Sequence, residues 1–300
     1  MRPFRSLVIY NAAVFIGGAL LAPWLYWLAQ QFASAFPHIA GAPFHRFLDR
    51  SFLILALAGL WPLLRALGAT TWREVGITLP YGQWNKLGGG WLLGFGSLAM
   101  VAGIATGFGG FHFAQTANAH KMISTVFSAA GTAIIVAVLE EILFRGGIFG
   151  GLRRVLYWPF ALAASSAIYA IVHFLQRADL AGAVGWNSGL VLLPRVLGGF
   201  TDFYALMPGF FTLTLAGALL ALAYQRTGNL YFSIGMHAGW IFVLKIFGAL
   251  TVQTPGAGTL FWGTAKMFDG WLAFLVLALA LAASNVLLPA EKRPHFSLPR

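Results

Sequence analysis

A chain of 300 residues with 59% hydrophobic and 9% charged side chains is no ordinary soluble domain, in which about a quarter of residues are charged. The absence of cysteine excludes disulfides, thiol catalysis and thiolate metal sites. The formal charge of +11 does not indicate nucleic acid, because Lys and Arg lie in short segments between apolar runs without an extended basic face; lipid headgroups and the positive-inside rule account for them.

The first apolar run, from Leu7 to Leu28, follows Arg2 and Arg5 and carries Trp24, Tyr26 and Trp27. It is too long for the apolar region of a signal peptide, so it reads as a retained first span despite the processing-site-like Ala33-Ser34-Ala35. Windows long enough to cross a bilayer follow at roughly 51–69, 88–109, 124–146, 159–175, 206–225, 229–249 and 271–289, eight helices in all, the fifth the shortest. Thr70 to Lys86 reads as a polar connector and Phe111 to Met122 as an interfacial stretch. Gln176 to Ala205, rich in Gly, reads as a long connector with room for a re-entrant or interfacial helix. The loop distribution of Lys and Arg favours both termini in the cytoplasm, and the composition suggests a bacterial cytoplasmic membrane.

The fourth span contains Glu140-Glu141-Ile142-Leu143-Phe144-Arg145. A carboxylate near the bilayer centre costs roughly 2.5–3.5 kcal/mol even on lenient scales, and such residues usually serve function. Glu141 and Arg145 are an i,i+4 pair that can neutralise each other, while Glu140 points about 100° away. The simplest division makes Glu141 with Arg145 a clamp and leaves Glu140 to act on water; the plain alternative is a structural buried ion pair. Beyond it, Gly146, Gly147, Gly150 and Gly151 form two overlapping small-xxx-small pairs suited to close helix approach.

The fifth span carries Tyr169 and His173. From a turn near Leu156 or Tyr157, Glu140 lies about as far back as His173 lies forward, so an antiparallel hairpin brings them to similar depth. Ser165 and Ser166 lie about two turns earlier, but no strained Gly-x-Ser-x-Gly turn marks a nucleophile. The seventh span adds His237. Two His and one Glu on three helices match the complement of a catalytic zinc site, with Glu140, His173 and His237 as ligands of a divalent metal such as Zn, and they could equally activate water without metal. His-Glu-x-x-His is absent, which excludes a conventional zincin. His38, His45, His112, His120 and His295 read as surface residues, and Lys245 as a residue that pairs with a backbone carbonyl or snorkels.

These residues resemble the CPBP family of intramembrane endopeptidases, which includes the CAAX prenyl endopeptidases and bacterial immunity-related proteins. Its pattern is Glu-Glu-x-x-x-Arg, Phe-x-x-x-His and His-x-x-x-Asn, each on its own helix. The first is intact at Glu140 to Arg145, the second has Tyr169 for Phe before His173, and the third begins at His237 but has Ile241 in place of Asn. The resemblance implies a membrane protease in which Glu140, His173 and His237 are catalytic, supported by Glu141, Arg145 and Tyr169. Ile241 cannot polarise the scissile carbonyl; His237 alone, Ser233 or Asn229 would have to serve.

The expected protein is therefore an all-α, polytopic integral membrane protein of one domain, 1–300, with its catalytic core at 124–245. It is expected to cleave a membrane protein or peptide substrate near the surface of the lipid bilayer. The competing classes are a non-proteolytic membrane regulator or scaffold and, less favoured, a transporter, for which paired broken helices would be expected.

Overall fold

The computed structural model describes residues 2–114, 119–175, 178–196, 198 and 203–288. In chain order the main helices are α1 (Arg5–Gln31), α2 (Phe44–Ala66), α3 (Trp84–Gly107), α4 (Met122–Leu152) and α5 (Trp158–His173). A nine-residue helix in the long connector, α6 (Ser188–Val196), precedes α7 (Phe203–Thr227), α8 (Tyr231–Leu250) and α9 (Trp271–Leu287). Among the described residues, six of these are long and apolar enough to cross a membrane, and α5 and α9 are shorter apolar helices. The eight apolar elements read from the sequence are all present, and the protein is an all-α polytopic membrane protein. Its outward surfaces agree: Ile134 and Ile135 on α4 are 60% and 61% exposed, as lipid-facing side chains are.

Two boundaries differ from expectation. α2 starts at Phe44, on an extended Pro43, and so takes in His45, Arg46, Asp49 and Arg50. Those polar residues lower the hydropathy of its first turns, yet His45 is held there by Asp179 at 2.7 Å. The stretch expected at the interface instead opens with a strand, β1 (Phe111–Phe113), paired antiparallel with β2 (Thr251–Gln253); residues 115–118 lie outside the described set. A three-residue strand has too short a pattern to be read from sequence.

The chain divides into two compact units, Met1–Thr70 with Phe174–Asp202, and Thr71–His173 with Phe203–Arg300. In the first, α1 and α2 pack with α6 around Ala19, Ala22, Leu48 and Leu192. A methyl group on Gly189 would meet the Ala19 carbonyl, so only glycine permits that approach.

In the second unit α3 and α8 run parallel and interlock. A Cβ at Gly90 or Gly94 would strike the carbonyls of Phe232 and Met236, and one at Gly235 or Gly239 the backbone of α3 at Leu87 and Phe95. Lipid chains are as apolar as the helices, so close backbone packing, rather than water exclusion, must drive such association. The small-xxx-small pairs of α4 play a lesser part: Gly146 faces Val75 of the 3₁₀ turn Trp72–Val75. The core of the unit centres on Leu219 and Leu220 of α7, Met236 of α8 and Ala273 of α9, all fully buried.

Candidate active site

α4 delivers the glutamates and then changes its winding, for Ile142–Phe149 is π-helical. Such wide turns are rare and recur at functional sites. Glu141 lies 3.0 Å from the Arg145 guanidinium, and both side chains are buried, 0% and 2% exposed. The guanidinium also stands 4.5 Å from the centre of the Tyr169 ring, whose face stabilises a desolvated cation. Glu141 has a second partner: its Oε1 accepts a hydrogen bond from His237 Nδ1 at 2.9 Å.

At the C-terminal end of α5, His173 Nδ1 donates to the Tyr169 carbonyl at 2.7 Å. These acceptors fix both tautomers. In each neutral ring the proton sits on Nδ1, and Nε2 presents a lone pair. Both lone pairs face the same atom: Glu140 Oε2 is 3.7 Å from His173 Nε2 and 3.8 Å from His237 Nε2. Three acceptors thus converge, and Glu140 Oε2 is buried with no hydrogen-bond partner among the described residues. The Tyr169 hydroxyl, 3.4 Å from His237 Nε2, is the nearest donor. Such a cluster calls for a proton, a water or a cation between its members.

Residues 122–243 match the family model for the type II CAAX prenyl endopeptidase, Rce1-like. The central segment of this chain is similar to that family. No curated protein and no solved structure gave a match. The resemblance drawn from the three motifs therefore holds, and the matched span includes every residue of the converging cluster.

The matched segment helps to line a cavity of about 300 Å³ with Glu140, His173 and His237 in its wall. Its other walls are mostly apolar, with Leu98 of α3, Leu213 and Ala216 of α7 and Leu277 of α9. Ile241 also lines it and supplies no hydrogen-bonding side chain. Neither stand-in expected for the missing Asn is available. The Ser233 hydroxyl donates to the Leu230 carbonyl at 3.0 Å, and the Asn229 amide is engaged by Gln83 and by the backbone of Thr227 and Tyr231. Ser165 and Ser166 are buried and bonded back to the Leu162 carbonyl, an arrangement of packing residues.

Three neighbours of the converging cluster escaped the sequence reading. Phe144 meets the Tyr169 ring edge-on at 5.0 Å, and its place inside the first motif was a signal. Trp240 lies 6.4 Å from the His237 ring and anchors its indole N–H on Ser97 Oγ at 2.9 Å; three residues after His237, it was legible as a same-face neighbour. Thr212 lines the cavity from α7, with nothing in the sequence to mark it.

Proposed function

We propose that the protein is an intramembrane endopeptidase that hydrolyses a peptide bond with water held between Glu140 and His173. The observation that carries this reading is the convergence of Glu140 Oε2 with two Nε2 lone pairs at 3.7 and 3.8 Å. A water there donates its hydrogens to Glu140 and an imidazole, which leaves its own lone pair for the scissile carbonyl carbon. Glu140 takes the proton as the C–O bond forms and returns it to the departing amine as the C–N bond breaks. His237, held at Nδ1 by Glu141, can carry a second proton on Nε2 and donate to the oxyanion, with the Tyr169 hydroxyl beside it. Glu141 and Arg145 hold the rings in place. The substrate is a membrane protein or membrane-anchored peptide, and the charge distribution favours both termini on the cytoplasmic side.

A metal-assisted form is the second reading, and one feature favours it: ligating histidines characteristically donate their other nitrogen to a carboxylate or carbonyl, as His173 and His237 do. Glu140, His173 and His237 would hold the ion, which would supply acidification of a bound water. The donor set suits zinc, but the spacing is loose. Ligands of one tetrahedral zinc lie about 3.3 Å apart given metal–ligand bonds of about 2.0–2.1 Å, and no group of three such side chains among the described residues is close enough to hold an ion as it stands.

The test is cleavage of a membrane-peptide library by the protein in lipid, with Glu140→Gln and His173→Ala compared in parallel and a chelator added. Loss of cleavage in both variants supports the water mechanism, and chelator sensitivity selects the metal-assisted form. Equal background cleavage by all three proteins, with an intact cellular phenotype for Glu140→Gln, would leave the regulator as the better reading.

A further inference from the structure

Besides its two imidazoles, the cavity has five side chains in its wall, among the described residues, that carry a hydrogen-bond donor: Thr132, Tyr169, Thr212, Trp240 and Lys245. Three of these donors are spent inside the protein. Thr132 and Thr212 donate one turn back to the carbonyls of Ser128 and Pro208, each at 2.7 Å, and the Trp240 indole N–H donates to Ser97 Oγ. Lys245 lies eight residues beyond His237, about 12 Å along α8. That leaves the Tyr169 hydroxyl as the donor at the reactive cluster, 3.4 Å from His237 Nε2.

The ring that carries this hydroxyl is held from several directions. Its centre lies 4.2 Å from that of His173 and 4.5 Å from the Arg145 guanidinium carbon, Phe144 meets it edge-on, and the Tyr169 carbonyl accepts from His173 Nδ1. The donor is therefore in place before a substrate arrives, the condition under which such groups stabilise developing charge. A phenol also keeps its proton at neutral pH, whereas His237 Nε2 must gain one before it can donate. The two events are linked. Once Nε2 holds a proton it no longer accepts from Tyr169, and the phenol hydrogen is free to turn to an oxyanion beside it. Tyr169 lends a hydrogen bond and keeps its proton, so the proton balance of the hydrolysis is unchanged.

One turn after His237, α8 presents Ile241 to the same cavity, with no donor to offer. Relative to the motif pattern that the chain resembles, a hydroxyl has been gained on α5 at Tyr169 and an amide lost from α8 at Ile241. We propose that these two departures are one exchange: Tyr169 is a catalytic residue whose hydroxyl supplies, from α5, the oxyanion hydrogen bond that α8 lacks at Ile241. This rests on the peptidase reading above.

The test uses the full protein in phosphatidylcholine nanodiscs, as wild type, Tyr169→Phe, Ile241→Asn and the double variant. The probes are fluorescent apolar heptapeptides in which a phosphinate, an anionic tetrahedral centre, replaces one amide, together with the same peptides left as amides. Binding is read by anisotropy with chelator present, so that no metal holds the phosphinate, and turnover is read separately on the amides. Tyr169→Phe is expected to weaken phosphinate binding and to lower turnover, each about tenfold, with amide binding unchanged; His237 remains as a donor, which keeps the loss below the 10²–10³ typical of one donor. In the Ile241→Asn background the same change should cost less than about twofold, the non-additivity expected of two groups that serve one need.

An equal loss in both backgrounds overturns the proposal, because a packing role for the hydroxyl does not depend on what stands at position 241. Phosphinate binding that Tyr169→Phe leaves unchanged overturns it too. If Ile241→Asn does not fold, Tyr169→Phe alone decides: loss confined to the phosphinate supports the assignment, and equal loss of phosphinate and amide binding overturns it. Binding and cleavage are read apart, so the two readings fail separately. Phosphinate preference with the expected coupling in a protein that cleaves nothing sinks the peptidase reading alone, and Glu140-dependent cleavage without the coupling sinks this one alone.

Discussion

His237 Nδ1 lies 2.9 Å from Glu141 Oε1, so the carboxylate that neutralises Arg145 also aims the imidazole. The adjacent glutamates therefore do different work, and their substitutions separate it. Glu141→Gln leaves a buried guanidinium without its counter-charge, a loss of about 3–5 kcal/mol for pairs of this kind. A clear fall in thermal unfolding temperature in detergent is expected, along with lost activity.

Glu140→Gln is the opposite case. The side chain is nearly isosteric and pairs with no buried cation, so unfolding temperature should stay close to wild type. The rate of peptide hydrolysis should fall by about 10²–10⁴, the range for loss of a general base. A stable variant with undiminished turnover would remove Glu140 from the chemistry.

Tyr169 combines a ring that packs on Arg145 and His173 with a hydroxyl near His237. Tyr169→Phe keeps the packing, and the resembling family carries Phe at this position, so turnover should stay within about tenfold. Tyr169→Ala exposes the clamp and opens a cavity, which costs about 3–5 kcal/mol for a large aromatic. Chemical denaturation of the two variants side by side checks the difference.

Gly94→Ala should lower both stability and activity. Alanine ordinarily favours a helix by about 1 kcal/mol over glycine, but here its methyl group meets the Met236 carbonyl, next to His237. Overpacking of this kind costs about 1–3 kcal/mol. Gly96→Ala, with nothing within 4 Å, is the matched control and should be neutral or slightly stabilising.

Ile241→Asn places an amide in the cavity one turn from His237. One oxyanion donor is typically worth about 10²–10³ in rate, so even imperfect placement should raise turnover about tenfold. Unchanged or reduced turnover would show that His237 and Tyr169 already meet the need.

Much of the site was legible because its signals are local. Glu141 and Arg145 meet at helical spacing, and the Glu140 to His173 hairpin follows from equal chain lengths on either side of one turn. The apolar windows located all eight apolar helices for the same reason. What escaped depended on partners distant in sequence. Gly90 and Gly94 are ordinary glycines until Gly235 and Gly239 lie opposite them, and Gly146, read as part of a helix contact, instead faces Val75 of a 3₁₀ turn. The change of winding at Ile142 has no composition that announces it, and Ser233 and Asn229 could be struck out only once their bonds were visible.

The glycine interlock between α3 and α8 also limits how this protein can move. Carbonyls seated over missing side chains on both helices resist sliding by a turn as much as separation, so α3 and α8 travel as one body that carries His237 and Trp240 with it. On the peptidase reading proposed above, a polypeptide entering the cavity would have to displace elements other than this pair, among them α4, which packs on α8 through the buried Ala133 and Ala137 and carries Glu140.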